Sequence, residues 1–191
     1  MAHGENAALK ACTGAAAAVL LLLTGCSSSG EEEPGPPKAS STAQGKEQKE
    51  RSAAERGALA AYRGMWDAQV KAYSTGSMEN ARLGDYTTGE AAKNVISAFT
   101  YYNGRGLTFK GKPKVTPKVT AIDVKSDPYT ATISDCVDTT DYVLVKRTSG
   151  KPVAVAEDDN RRPWTATATT AKAGGTEWRI SDYTIDKDRT C

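Results

Sequence analysis

Histidine and cysteine, which often carry nucleophilic or metal chemistry, are rare in this chain. The 191 residues include one histidine, His3, and four cysteines, namely Cys12, Cys26, Cys136 and Cys191. Removal of a short N-terminal signal would therefore leave no histidine at all. A chain without histidine forms neither a Ser-His-Asp nor a Cys-His catalytic pair, and it has no His-ligated zinc site. These classes of enzyme are excluded for the mature protein.

Cys26 ends a stretch that has the order of an export signal. A polar lead with Lys10 precedes an apolar run from Ala15 to Leu23, which is shorter than the ~20 residues that span a bilayer. The segment Leu23-Thr24-Gly25-Cys26 resembles the bacterial lipobox, in which the cysteine thiol takes a diacylglyceryl group. This resemblance implies a signal peptide over residues 1–25, lipidation of Cys26 and anchoring on the extracytoplasmic side of the cell membrane. An ordinary signal peptide beside a chance cysteine is the alternative.

The two remaining cysteines, Cys136 and Cys191, are an even pair in an oxidising compartment, which predicts a disulfide. Closing a loop of about 55 residues is worth roughly 4 kcal/mol in the chain-entropy model. Two free thiols in a redox role are the alternative, but the chain has no Cys-x-x-Cys spacing.

Residues 26–46 are rich in Ser, Gly, Glu, Pro and Lys and contain hardly any apolar side chain to bury. This composition predicts a disordered tether after the lipidated cysteine. Residues 47–191 then form the folded domain. Removal of residues 1–25 takes away one acid, Glu5, and one base, Lys10, so the net charge stays at +2. That balance gives no indication of a nucleic-acid partner.

Apolar residues at helical spacing follow the tether. A first helix is predicted from about Gln48 to Thr75, with Gly76 as a left-handed cap, and its inner face would carry Leu59, Tyr62, Trp66, Val70 and Tyr73. A short helical stretch is predicted over Met78–Leu83. A further helix is predicted over Glu90–Tyr102, and its inner face would carry Ala92, Val95, Ile96, Phe99 and Tyr102.

Beyond Gly106 the apolar pattern changes to short strands separated by turn residues. The predicted strands are Leu107–Lys110, Val115–Lys125, Tyr129–Asp138, Tyr142–Arg147, Trp164–Lys172 and Glu177–Asp186. Helices followed by strands with short connections indicate an α+β fold with an antiparallel sheet, because parallel pairing needs long crossovers. Alternation within the third strand places Asp135 and Ile133 on one face and Cys136 on the other.

This order of elements resembles the NTF2-like (SnoaL/ketosteroid-isomerase-like) cone fold of secreted actinobacterial lipoproteins. The resemblance rests on Tyr62…Trp66, Gly84-Asp85-Tyr86-Thr87-Thr88-Gly89, the strand Ala131–Asp138 and the ending Trp178-Arg179-Ile180…Cys191. It covers roughly residues 50–191. It implies a strongly curved sheet that wraps the helices and leaves a pocket at the open end of the cone.

Three functional hypotheses follow. In the first, which we prefer, a non-catalytic binding or envelope accessory module holds a small apolar ligand or a peptide, and the candidate pocket residues are Tyr62, Trp66, Tyr86, Phe99 and Tyr102. For each ring a plain core position is the competing interpretation. The second is an isomerase-like or cyclase-like enzyme, for which the resemblance implies Asp135 as base and Tyr62 or Tyr86 as donor. However, a carboxylate near a strand end usually faces water.

The third hypothesis is an interaction or dimerisation module that uses the threonine-rich strand around Trp164–Thr170, although alternating threonines are also typical of a solvated sheet face. The remaining motifs are weak. Asp158-Asp159-Asn160 lacks the ligand spacing of a calcium site, and Arg161-Arg162 is too short for a nucleic-acid patch. We therefore expect no metal and no cofactor.

Overall fold

The structure is a computed structural model, and it describes residues 39–154, 161–170 and 175–191. The predicted signal peptide, the lipidation site Cys26 and the Asp158–Asn160 loop lie outside the described residues, as does most of the predicted tether. The described residues lie within one compact unit that spans Lys38–Cys191. None of their helices has the length and apolar character needed to cross a membrane.

Three helices come first in the described part of the chain. They are α1, Ala39–Thr75, α2, Leu83–Tyr86, and α3, Gly89–Gly104. The helix α1 begins earlier than predicted because its first turns carry small and polar residues, which form helix without giving an apolar stripe. The short helix lies later than predicted, since Asn80 and Arg82 adopt positive φ angles of 63° and 55° and interrupt a regular helix there. Gly76 has a φ of 71°, which confirms the predicted left-handed cap.

Six strands follow among the described residues, and each corresponds to one of the predicted strands. They are β1, Leu107–Gly111, β2, Lys118–Asp123, β3, Thr130–Asp138, β4, Tyr142–Lys146, β5, Arg161–Thr170, and β6, Trp178–Ile185. Every pairing is antiparallel: β1 pairs with β4 in a two-stranded sheet, and the other four form a sheet in the order β2-β3-β5-β6. The predicted α+β class with antiparallel sheets is therefore confirmed.

The helix α1 packs on the four-stranded sheet through small side chains. Buried alanines lie on both sides of this contact, and we call them the alanine seam: Ala54, Ala58 and Ala61 of α1 with Ala131, Ala166 and Ala168 of β3 and β5. Alanine on alanine lets the helix and the sheet approach closely, so Ile133, Tyr62 and Ile180 beside the seam are fully buried. The seam therefore belongs to the buried core.

Two glycines of α1 mark the closest approaches of other elements to the helix. A Cβ atom at Gly57 would lie 2.4 Å from Cδ1 of the Trp178 ring, and one at Gly64 would lie 2.2 Å from Cδ1 of Tyr86. Both rings therefore lie directly against the helix backbone. These contacts fix the start of β6 and the end of α2 on α1.

The helix α3 buries a narrower face than predicted. Ala91 and Val95 are fully buried, and Phe99 and Tyr102 are half-buried. The prediction that Ile96 points inward is wrong, because its side chain is 48% exposed. One residue step turns a helix by about 100°, so Val95 and Ile96 do not face the same side.

Candidate functional site

A cleft of about 450 Å³ opens between the two sheets and the C-terminal halves of α1 and α3. Its volume lies in the range of ligand sites, roughly 300–1,000 Å³. We call it the aromatic cleft because seven rings line it: Trp66, Tyr73, Tyr102, Phe109, Tyr142, Trp164 and Tyr183. The remaining lining residues are Gln69, Ala98, Thr139, Thr140, Val143, Leu144, Val153 and Ile185.

The rings of the aromatic cleft form two contacting groups. In the first, the centroid of Trp164 lies 4.8 Å from that of Trp66 and 4.9 Å from that of Tyr183, which it stacks against. In the second, Phe109 stacks on Tyr142 at 4.6 Å and meets Tyr102 edge-on at 4.9 Å. These are favourable geometries for aromatic pairs. The rings therefore hold one another in place and form rigid walls.

The strands β1, β4, β5 and β6 each contribute one ring to the walls of the aromatic cleft, and the pairing of the strands decides which of these rings are in contact. The two groups come from separate sheets, because β1 and β4 carry Phe109 and Tyr142 while β5 and β6 carry Trp164 and Tyr183. The helix α1 spans both groups with Trp66 and Tyr73, which lie seven residues apart and so share one helix face. The aromatic cleft is thus the gap between the two sheets where α1 passes them.

The polar groups of the lining are neutral. Gln69 lies on the same face of α1 and is only 6% exposed. Burial raises the pKa of Tyr142, and nearby Tyr102 raises it further. Burial also raises the pKa of Tyr73 and of Tyr183, so these hydroxyls stay protonated at neutral pH. No Asp, Glu, Lys or Arg lines the aromatic cleft among the described residues.

The mouth of the aromatic cleft carries exposed apolar side chains. Val143 is 39% exposed and Ile185 is 36% exposed. Large aliphatic side chains left in water at the rim of an apolar cavity are typical of a site that takes an apolar partner. The mouth therefore extends the apolar surface of the lining outward.

Two of the six predicted pocket residues, Trp66 and Tyr102, line the aromatic cleft. Phe99 packs behind it, with its ring centroid 6.1 Å from that of Tyr73. Tyr86 lies elsewhere, in a polar cleft of about 440 Å³ that also contains Trp178, Arg82 and Arg179. Tyr62 is a fully buried core residue and does not line the aromatic cleft.

Asp135, the sixth, is also in the core. The expectation that its carboxylate faces water is wrong, because Asp135 is only 5% exposed. Its strand position explains this: it alternates with Ile133 and Val137 on the inner face of β3, opposite Trp164 of β5. Its Oδ1 accepts a hydrogen bond from the backbone N–H of Thr116 at 2.8 Å.

Asp135 belongs to a small polar cluster inside the core. The hydroxyl of Tyr62, the indole nitrogen of Trp66 and Oδ2 of Asp135 are all buried, and none makes a hydrogen bond of standard geometry to a described residue. Burial raises the pKa of Tyr62, the indole of Trp66 partly opposes this, and the negative charge of Asp135 adds to it. The predicted base and donor therefore lie together, but behind the wall of the aromatic cleft.

Sequence reasoning missed five of the lining rings: Tyr73, Phe109, Tyr142, Trp164 and Tyr183. An available signal was that each of the strands β1, β4, β5 and β6 contains one of the last four, at a position where strand alternation points inward. Helical spacing did place Tyr73 on the inner face of α1, but there it was interpreted as a core residue. Nothing in the sequence predicted that Gln69 lines the cleft, because a glutamine within an apolar helix face does not indicate which groups it contacts.

Cys136 and Cys191 are joined by a disulfide, with their Cα atoms 6.0 Å apart, as the cysteine pair predicts. The bond connects β3, three residues before Thr139 of the cleft, to the segment that follows Ile185. It therefore fastens two chain segments that lead out of the aromatic cleft. Within the described part of the chain no group of three or more His, Cys, Asp or Glu side chains is placed to hold a metal ion.

The fold and the site define an α+β protein with antiparallel sheets and an aromatic-lined cleft among its described residues. No family model matches the sequence, and no curated protein is significantly similar to it. A similar solved structure is the intermembrane space region of the chloroplast protein ARC6. It has a TM-score of 0.46 and 11% sequence identity, over 70% of this chain and 97% of that chain. This likeness is too low to carry a functional argument.

Proposed function

We propose that this protein is a lipid-anchored extracytoplasmic binding module that holds a small apolar ligand in the aromatic cleft. The observation that carries the proposal is a cleft of about 450 Å³ lined by seven aromatic rings. Buried rings supply large contact areas with little conformational freedom to lose, which favours the binding of flat or bulky apolar molecules.

The absence of charged groups from the described lining favours binding over catalysis. An enzyme of the kind considered above needs an acid or base within reach of its substrate. Asp135 is buried in the core behind Trp66 and does not line the aromatic cleft. A ligand in the cleft would therefore meet neutral hydroxyls, one amide and apolar rings.

The NTF2-like assignment is part of the same proposal. Helices at the start of the chain and six strands after them agree with that order of elements. A cleft between the sheets and the ends of two helices corresponds to the pocket that the resemblance implies. The curvature of the sheet remains a prediction.

The anchoring rests on the sequence Leu23-Thr24-Gly25-Cys26 and is tested separately. Labelled palmitate fed to an actinobacterial host that expresses the chain should appear on the protein, and Cys26→Ala should abolish the label. Cys12→Ala is the matched control, because Cys12 would leave with the signal peptide and the label should persist. Loss of label in the Cys12 variant, or its retention in the Cys26 variant, would contradict lipidation at Cys26.

Ligand binding is tested with the full chain carrying Cys26→Ala, which takes no lipid at this position. Titration with the neutral probe N-phenyl-1-naphthylamine should give saturable energy transfer from tryptophan, because Trp66 and Trp164 line the aromatic cleft. Trp164→Phe should weaken binding by about tenfold, as a wall ring loses contact area. Trp178→Phe is the control, since Trp178 lies at the polar cleft. Equal effects of the two variants would place the probe elsewhere.

Native mass spectrometry of the same chain identifies what the cell supplies. Under non-reducing conditions the spectrum should show the protein with one disulfide and an adduct of defined mass. A stable dimer without an adduct would instead favour the third hypothesis, in which the module binds another protein chain.

A further inference from the structure

One buried amide stands out in the lining of the aromatic cleft. Gln69 lies on α1 between Trp66 and Tyr73 and is more than nine-tenths buried. It makes no hydrogen bond to another described residue. A primary amide carries two N–H donors and a carbonyl acceptor. The amide atoms of Gln69 are not among the side-chain atoms that are closed off from solvent, so they are open to the aromatic cleft.

A second unused polar group lies in the same lining. The hydroxyl of Tyr142 is buried and has no hydrogen-bond partner among the described residues. Its raised pKa keeps it protonated, so it donates or accepts a hydrogen bond as a neutral group. The lining therefore offers an amide from α1 and a hydroxyl from β4, beside the further hydroxyls of its tyrosines and threonines.

The charge of the lining excludes one class of ligand. With no cationic side chain among the described lining residues, a carboxylate or phosphate in the aromatic cleft would be desolvated without a counter-ion. With no anionic side chain there, an ammonium group would meet the same cost. The cleft therefore favours molecules without net charge.

We infer that the ligand is an uncharged polycyclic or aromatic compound with one hydroxyl or carbonyl group, and that Gln69 is the residue that selects this group. The inference rests on the proposed binding function and specifies its ligand class. The rings of the ligand lie among the seven aromatic side chains, and its polar group takes up the hydrogen-bonding capacity of the Gln69 amide. The buried hydroxyl of Tyr142 is a second partner for it.

Three probes that share one ring system test this selection: phenanthrene, 9-phenanthrol and phenanthrene-9-carboxylate. The protein is again the full chain with Cys26→Ala, and affinities are read from quenching of tryptophan fluorescence. The phenol should bind about tenfold more tightly than the hydrocarbon, the gain expected for a single buried hydrogen bond. The carboxylate should bind more weakly than either.

The variant Gln69→Leu removes the amide and keeps a similar side-chain volume. It should reduce the preference for the phenol over the hydrocarbon to about onefold, while the affinity for phenanthrene itself stays equal or rises. Gln48→Leu is the matched control, because Gln48 is an exposed residue of the same helix. That variant should keep the tenfold preference.

The outcomes distinguish failure of the assigned ligand class from failure of the proposed binding function. If no probe binds the wild-type chain, the proposed binding function fails. If all three bind with equal affinity, or if the carboxylate binds best, the cleft binds apolar molecules but the assigned ligand class is wrong. If Gln69→Leu keeps the full preference for the phenol, the selecting group is not Gln69. The comparison of the three probes on the wild-type chain stands even if the variant does not fold.

Discussion

The helix α1 contacts the sheet with alanines in its middle and with large rings near its C-terminal end. Along the alanine seam the helix and the four-stranded sheet lie close together, and the side chains beside it are fully buried. Around Trp66 and Tyr73 the same helix meets rings from two separate sheets, and a cleft of about 450 Å³ remains. Small residues close one region and large rigid residues keep the other open. Side-chain size along one helix therefore divides the domain into a packed core and a candidate site.

The disulfide joins two segments that are close in sequence to the open region. The Cys136–Cys191 bond connects β3, just before Thr139 of the aromatic cleft, to the segment after Ile185. Cys191→Ala should lower the free energy of unfolding by about 4 kcal/mol in urea denaturation, because the unfolded chain regains the entropy of an open loop. The wild-type chain under reducing conditions should lose the same amount. A loss below about 1 kcal/mol in both would mean that the link contributes little.

Truncation of one isoleucine in each region measures how differently they are packed. Ile133→Ala, beside the alanine seam, should cost about 3 kcal/mol, because it leaves a cavity among fully buried side chains. Ile185→Ala, at the mouth of the aromatic cleft, should cost less than about 1 kcal/mol, since that side chain is already partly in water. Equal losses in thermal or urea unfolding would contradict the division into a packed and an open region.

Replacement of one alanine by leucine in each region tests the same division by adding side-chain volume instead of removing it. Ala58→Leu in the seam should lower the free energy of unfolding by about 2 kcal/mol, because a well-packed core has no room for added carbons. Ala98→Leu in the lining of the aromatic cleft should leave stability nearly unchanged and weaken binding of N-phenyl-1-naphthylamine. If Ala98→Leu destabilises the protein as much as Ala58→Leu, the cleft is not open space.

Alkaline pH should destabilise both regions through their buried tyrosines. Burial raises the pKa of Tyr62 in the core and of Tyr73, Tyr142 and Tyr183 in the cleft. Above the ordinary pKa of about 10 the unfolded chain loses these protons while the folded chain keeps them, so stability is present below pH 10 and falls as the pH rises further. Each such tyrosine contributes a loss of about 1.4 kcal/mol per pH unit.

The variant Tyr142→Phe isolates one of these contributions. In urea unfolding between pH 9 and pH 11 its stability should fall less steeply above pH 10 than that of the wild-type chain. Tyr101→Phe is the control, because Tyr101 is 52% exposed and its replacement should leave the slope unchanged. Identical slopes for Tyr142→Phe and the wild type would show that Tyr142 ionises freely in the folded state.

Local patterns in the sequence predicted the elements better than they predicted the site. Alternation and turn residues located all six strands, since one-sided burial produces the period-2 pattern directly. The start of α1 was missed because residues 44–51 are exposed and give no apolar stripe. Asp135 was misplaced because its own strand pattern was given less weight than the general tendency of carboxylates. Tyr142 and Trp164 meet the cleft only through long-range pairing of β1 with β4 and of β3 with β5. No local pattern contains that information.

The indole N–H signals of the three tryptophans test the central claim most directly. In a ¹⁵N–¹H spectrum of the full chain with Cys26→Ala, addition of 9-phenanthrol should shift the signals of Trp66 and Trp164, which line the aromatic cleft, and leave that of Trp178 in place. Each signal is assigned by its loss in the corresponding Trp→Phe variant. Shifts confined to Trp178, or no shift at saturating probe, would contradict the assignment of the aromatic cleft as the binding site.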